Sequence, residues 1–211
     1  MKLFLSSVSI AEANRPAFLE LVNKDARDIS VALIENGADT YPGDHRAWVE
    51  RARGMIQGTV GEVVRFDLRD YSNASVIKNA LSKFDVVWVG GGNVFYLRWL
   101  ARQSGFDVAI KDLIAGGIVY GGESAGAIIA GPTIDNFQPA DVPEAAPEII
   151  LDGFGLTDIV PIPHYGNKKY GHIMRAIEDK FKLSEHRTVP IADEQAIVIN
   201  NDNMSVIGQE D

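Results

Sequence analysis

Ile118-Val119-Tyr120-Gly121-Gly122-Glu123-Ser124-Ala125-Gly126-Ala127-Ile128-Ile129-Ala130-Gly131 begins as a short apolar, β-leaning run and ends as a run of small residues suited to a helix. Between the two stands Gly122-Glu123-Ser124-Ala125-Gly126, a G-x-S-x-G pentapeptide at a strand-to-helix junction, where a nucleophile elbow belongs. So sharp a turn holds the serine in a strained backbone with its hydroxyl clear of the sheet. Glycines on both flanks let strand and helix pass without Cβ clashes. On this reading Ser124 is a nucleophile. The pentapeptide also fits a tightly packed strand–helix turn in which Ser124 only caps the next helix, so the rest of the chain has to decide.

Outward from the elbow, strand-like and helix-like segments alternate in both directions. Strands are expected at 3–8, 29–34, 62–68, 85–89 and 159–163, and helices at 15–24, 44–57, 73–83, 94–103, 107–115 and 168–181. Asp44 is the expected cap of the second helix. Short strands at 188–192, 196–200 and 205–207 close the chain. This pattern implies a three-layer α/β fold, a mostly parallel sheet with helices on both faces, finished by a β-hairpin extension. A length of 211 residues suits one domain, 1–211. The segment 132–152, with Pro132, Pro139, Pro143 and Pro147, is the longest irregular stretch, and such loops are usually functional.

Composition removes whole classes of function. A net charge of -9 leaves no basic stripe for nucleic acid. The absence of cysteine excludes disulfides, thiolate metal sites and a cysteine nucleophile, and fits a reducing, cytoplasmic setting. The apolar run at 1–8 is too short for a signal peptide, and no run approaches a membrane span.

A serine nucleophile needs a base, an acid that orients the base, and N–H donors for the oxyanion. Of the four histidines, His45 and His186 read as surface residues and His172 lies inside a helix. His164 ends the apolar run Val160-Pro161-Ile162-Pro163, at the carboxyl end of a strand, where sites gather. The acid is open among Asp135, Asp141, Glu144, Glu148 and Asp152, all in the proline-rich loop. Glu123 is structural or faces substrate. Gly90-Gly91-Gly92-Asn93 follows a strand without dinucleotide or Walker spacing. It therefore reads as the second half of an oxyanion hole, with the amides of Gly92 and Ala125 as the donor pair.

Taken together, Val89-Gly90-Gly91-Gly92-Asn93, Gly122-Glu123-Ser124-Ala125-Gly126-Ala127, Pro132-Thr133-Ile134, Pro163-His164-Tyr165 and Ala192-Asp193-Glu194-Gln195-Ala196-Ile197 resemble peptidase family S51. This is the dipeptidase E and cyanophycinase-like group of serine peptidases, within the class I glutamine amidotransferase-like (flavodoxin-like) fold. The resemblance implies Ser124 as nucleophile, His164 as base and an oxyanion hole at Gly92 and Ala125. It implies Asp141 as the acid, from Asp141-Val142-Pro143, with Asp135 as fallback. Dipeptidase E-like enzymes cleave dipeptides with an N-terminal aspartate, and Asn93 and Arg175 are the side chains expected to receive that carboxylate. Glu123 stands where those dipeptidases carry an aromatic residue, and a carboxylate there would repel an acidic substrate or bind a free α-amino group. The expectation is a cytoplasmic monomer or homodimer acting on small peptides through an acyl-enzyme, with no metal or organic cofactor. An esterase, a cyanophycinase-like isopeptidase and a non-catalytic binding homologue are the alternatives.

Overall fold

Near-continuous apolar runs are what strands need when both faces of a sheet are covered. The computed structural model, which describes residues 1–43 and 46–209, uses them that way. Among these residues the strands are β1 (Lys2–Ser6), β2 (Ser30–Ile34), β3 (Glu62–Arg65), β4 (Val86–Val89), β5 (Val119–Glu123), β6 (Ile159–Ile162), β7 (Arg187–Pro190), β8 (Ala196–Asn200) and β9 (Asn203–Ile207). The α-helices are α1 (Arg15–Val22), α2 (Ala47–Gln57), α3 (Ala74–Leu81), α4 (Val94–Ser104), α5 (Phe106–Ala115), α6 (Ala125–Ile128) and α7 (Gly171–Phe181). The expected cap at Asp44 and the histidine at 45 lie outside the described residues.

Seven strands form the main sheet in the order β3-β2-β4-β5-β1-β8-β9. The first five run parallel, and the β8–β9 hairpin adds antiparallel to β1. The two-residue period of each strand sends alternate side chains to opposite faces. Leu3, Leu5, Ala32, Ile34, Val87 and Val89 pack on the face covered by α3, α4, α5 and α6. Phe4, Val31, Leu33, Val86 and Trp88 pack on the other face, against Phe18 and Leu21 of α1 and Ile56 of α2. Each such side chain, fully buried, stabilises by roughly 1.5–3 kcal/mol, so the central strands are the least movable part of the molecule. The rim above them inherits that rigidity.

One departure from the expected sheet decides the site. The strand at 159–162 is not in the main sheet; it pairs in parallel with β7 as a separate two-stranded sheet. Past the paired residues the chains remain in register, with Ile191 N–H donating to the Ile162 carbonyl at 3.0 Å and Tyr165 N–H to the Ile191 carbonyl at 3.1 Å. The segments after β6 and β7 therefore run side by side. The 132–152 segment is irregular, as expected, but well tied. A bridge joins Thr133 to Asp152, Phe137 is fully buried, and Arg98 Nε of α4 donates to the Asp152 carbonyl at 2.6 Å. Among the described residues, no helix is long and apolar enough to cross a membrane.

Candidate active site

Ser124 follows β5 directly with φ +49° and ψ -114°, a backbone conformation costly for any residue with a Cβ. Its neighbours show why the turn is tolerated. A Cβ on Gly126 would stand 2.0 Å from the Val89 carbonyl oxygen, and one on Gly122 2.5 Å from the Gly126 oxygen. Only glycines let the elbow helix lie this close to β4 and β5. Ser124 N–H donates to the Ser6 carbonyl of β1 at 3.1 Å, which fixes the elbow to the sheet and leaves its half-buried hydroxyl on the rim.

His164 is likewise held at positive φ, +58°, with its backbone N–H donating to Ser7 Oγ at 2.8 Å. In this pose its Nε2 lies 2.9 Å from Ser124 Oγ. Its Nδ1 lies 2.7 Å from Asp193 Oδ1, and the Ser7 hydroxyl donates to that same oxygen at 3.1 Å. Asn167 Nδ2 donates to the other carboxylate oxygen. The hydrogen bond from His164, with those from Asn167 and Ser7, overcomes partial burial and holds Asp193 down to about 2. Asp193 is thus an ionised acceptor facing His164 Nδ1.

The acid beside His164 is therefore Asp193 and not Asp141. Asp141 lies across the rim at the start of α4, where its Oδ2 accepts from Val94 N–H at 2.9 Å and its Oδ1 from the Tyr41 hydroxyl at 3.5 Å. Burial pushes it up to about 6. Asp135, the fallback, is spent on its own loop, with Oδ1 accepting from Asn136 N–H and Gln138 Nε2. Glu144, Glu148 and Asp152 are exposed. Asp193 lay within a stretch marked in the sequence, Ala192–Ile197, but its role is set by the β6–β7 pairing, which no local pattern announces. Ser7 and Asn167 went unread for the same reason.

The glycine loop after β4 abuts the elbow: a Cβ on Gly91 would stand 3.2 Å from Ser124 Cβ and 3.6 Å from Ser124 Oγ. Gly92, at φ +128°, is pressed against Gly37, where a Cβ would meet the carbonyl carbon at 2.1 Å. The loop that carries Gly92 and the turn that carries Ala125 therefore meet at Ser124 through Gly91.

The expected substrate contacts fare differently. Asn93 is buried and committed, its Oδ1 capping α4 at Tyr96 N–H and its Nδ2 donating to the Val142 carbonyl at 2.9 Å. Glu123 is also buried, 6% exposed, behind the elbow and away from solvent. Arg175, His172 and His186 are exposed, the first two on α7 and the last ahead of β7. The walls near Ser124 are aromatic instead. Trp48 approaches Gly91, Tyr41 packs edge-on against Trp48 at 6.2 Å, and Tyr170 lies 5.6 Å from the His164 ring. Burial, with Asp141 close by, pushes the Tyr41 hydroxyl up to about 12.

Comparison with known proteins gives a consistent picture. Residues 5–207 match the model of peptidase family S51. An uncharacterized peptidase of Listeria innocua is 34% identical over 158 residues, 74% of this chain and 75% of that one. Peptidase E of Salmonella typhi is 37% identical over 91 residues, which span 42% of this chain and 37% of that protein. A crystal structure of a candidate peptidase E protein from Listeria monocytogenes EGD-e superposes with TM-score 0.84 at 27% identity, covering 99% of this chain and 98% of the other.

Proposed function

The chain belongs to peptidase family S51 and is a serine peptidase; we propose that its reaction runs through Ser124, His164 and Asp193 on small peptides. The observation that carries this reading is the unbroken line of contacts from Ser124 Oγ to His164 Nε2, 2.9 Å, and from His164 Nδ1 to Asp193, 2.7 Å. Ser124 attacks the scissile carbonyl while His164 Nε2 takes its proton. Asp193 keeps the Nδ1–H tautomer and stabilises the imidazolium that forms. The amides of Gly92 and Ala125 receive the oxyanion. His164 returns the proton to the leaving amine, and water resolves the acyl-enzyme by the same steps in reverse roles.

Asp141 supports small peptides with a free amino terminus. It is a half-buried carboxyl on the rim, held by two neutral donors, the Val94 amide and the Tyr41 hydroxyl. A substrate ammonium group is the charge partner such a group lacks. The exposed cations at Lys168, Lys169 and Arg175 follow His164 and supply positive charge for an acidic side chain, so an N-terminal aspartate is the first residue to test.

The test is covalent labelling with a fluorophosphonate, backed by a small sulfonyl fluoride, comparing wild type with Ser124→Ala and His164→Ala. Labelling that needs both residues is expected. Wild-type protein inert to both reagents refutes an activated serine. A panel of aspartyl dipeptides, other dipeptides, N-acetylated dipeptides and esters then fixes the substrate; equal turnover of free and acetylated dipeptides would remove the role given to Asp141.

A further inference from the structure

Asn167 uses both of its amides, backbone and side chain, between the base and its acid. Its backbone N–H donates to the His164 carbonyl at 3.1 Å, and its backbone carbonyl accepts from Gly171 N–H, at the start of α7, at 2.8 Å. The side-chain Nδ2 donates to Asp193 Oδ2 at 2.5 Å. The side-chain Oδ1 accepts from Lys169 N–H at 2.8 Å and from Tyr170 N–H at 3.1 Å. Asp193 Oδ1 faces His164 Nδ1 at 2.7 Å. His164, Asp193 and Asn167 therefore close a ring of hydrogen bonds, and the turn before α7 hangs from the same side chain.

The chemistry of the neighbours fixes which way that amide points. Backbone N–H groups only donate and an ionised carboxylate only accepts, so the oxygen must face the turn and the nitrogen Asp193. An aspartate here would serve the turn equally well, but would set a second carboxylate against Asp193. A serine would serve the turn more weakly and is too short to reach the acid. Asparagine satisfies both neighbours.

The turn it holds reaches the site. The Tyr170 ring stands 5.6 Å from the His164 ring at an angle of 41°, within the range of a favourable aromatic pair. The Lys169 ammonium lies 4.7 Å from the centre of the Tyr170 ring. The imidazole is thus bounded by Ser124 at Nε2, by Asp193 at Nδ1 and by Tyr170 beside the ring. His164 itself is at φ +58°, a pose whose backbone cost the surrounding contacts must offset. Resting on the Ser124–His164–Asp193 reading of the site, we propose that Asn167 is a positioning residue. It locks the acid and the Tyr170 wall to each other, and so holds the imidazole in the pose that reaches Ser124.

The experiment is the second-order rate of fluorophosphonate labelling from pH 5 to 9 for the full chain and for Asn167→Asp, Asn167→Ser and Asn167→Ala, each checked for folding by circular dichroism. In wild type the rate rises as His164 loses its proton and then levels off. The titratable and charged groups around His164 are Asp193 at Nδ1, Tyr170 and Lys169 on the turn, and Asp141 across the rim. All of them are unchanged in the variants. Asn167→Asp keeps the turn and adds a negative charge beside the acid. Its plateau should fall by about tenfold or more. Its rise should move to higher pH by about one unit, because added negative charge favours the protonated imidazole. Asn167→Ser should lose about tenfold on the plateau with the midpoint in place, and Asn167→Ala, which also releases the turn, should lose more than Asn167→Ser. An Asn167→Asp protein with the wild-type plateau and midpoint shows a side chain that only shapes the turn, and overturns the inference. So does an Asn167→Ser plateau within about threefold of wild type, which is less than one hydrogen bond to a charged group is worth. Absence of any Ser124-dependent labelling in wild type overturns the underlying reading instead, and is told apart because there is then no rate to compare.

Discussion

Replacing Asp193 with asparagine, beside the same change at Asp141, separates the two candidate acids. In the transition state His164 carries a positive charge whose centre lies about 4 Å from that of Asp193, the Nδ1 to Oδ1 distance being 2.7 Å. At an effective dielectric of about 20 that pair is worth roughly 4 kcal/mol, or about a thousandfold in rate at some 1.4 kcal/mol per factor of ten. An asparagine amide offered to His164 also favours the wrong tautomer, which pushes the loss toward about ten-thousandfold. Asp141→Asn leaves an oxygen to accept from Val94 N–H, so its rate with a reagent lacking an amine should stay within about tenfold of wild type. Labelling rates with a fluorophosphonate at pH 7, on variants shown to be folded, measure both. Refutation would be the reverse order, with Asp141→Asn crippled and Asp193→Asn close to wild type.

With dipeptides, Asp141→Asn should raise KM by about tenfold or more with little change in kcat, since one charge-assisted contact to the substrate amine is worth roughly 1.5–3 kcal/mol; Michaelis curves for free and N-acetylated dipeptides measure it. Ser7→Ala removes a donor to Asp193 and an acceptor from His164 N–H, and should slow turnover about tenfold with little change in KM, read from steady-state kinetics. Gly92→Ala places a methyl 2.1 Å from the Gly37 carbonyl carbon at φ +128°; a loss of several kcal/mol is expected from strain and overpacking combined, visible as a lower urea midpoint. Glu123 is raised from 4.5 to about 7 by burial, so the stability it contributes is complete below about pH 4.5 and lost as pH rises through 7. The loss is about 3 kcal/mol at roughly 1.36 kcal/mol per unit. Urea unfolding at pH 4.5 and 8 should therefore show Glu123→Gln gaining on wild type by about that amount at the higher pH.

Much of the scaffold could be read from local pattern because its physics is local. Val86-Val87-Trp88-Val89 and Ile118-Val119-Tyr120 can be buried on both sides only as inner strands, and the glycines around Ser124 are those a helix needs to lie within reach of the Val89 carbonyl. Ser124, His164 and the glycine loop sit at ends of such runs, so their places on the rim followed from the strands. Asp193 did not. Its distance from His164 depends on β6 leaving the main sheet to pair with β7, and nothing in Ile159-Val160-Pro161-Ile162 states which strand it will join. The proline-rich loop offered five acids close to the elbow in sequence, and proximity along the chain stood in for proximity in space.

Asp141 and Glu123 show what that substitution concealed. Glu123 is buried and Asp141 half-buried, and both are raised, Asp141 to about 6 and Glu123 to about 7. Their surroundings divide their work. Asp141 is next to Tyr41 at the aromatic wall. Glu123 is sealed behind the elbow beside Trp88, in a small cavity that it shares with the Glu35–Arg53 ion pair. Asp193, by contrast, is held down to about 2 by His164 and is charged at neutral pH. Three acids around one serine are thus separated by environment: one ionised beside the imidazole, one on the rim beside Tyr41, and one buried behind the elbow.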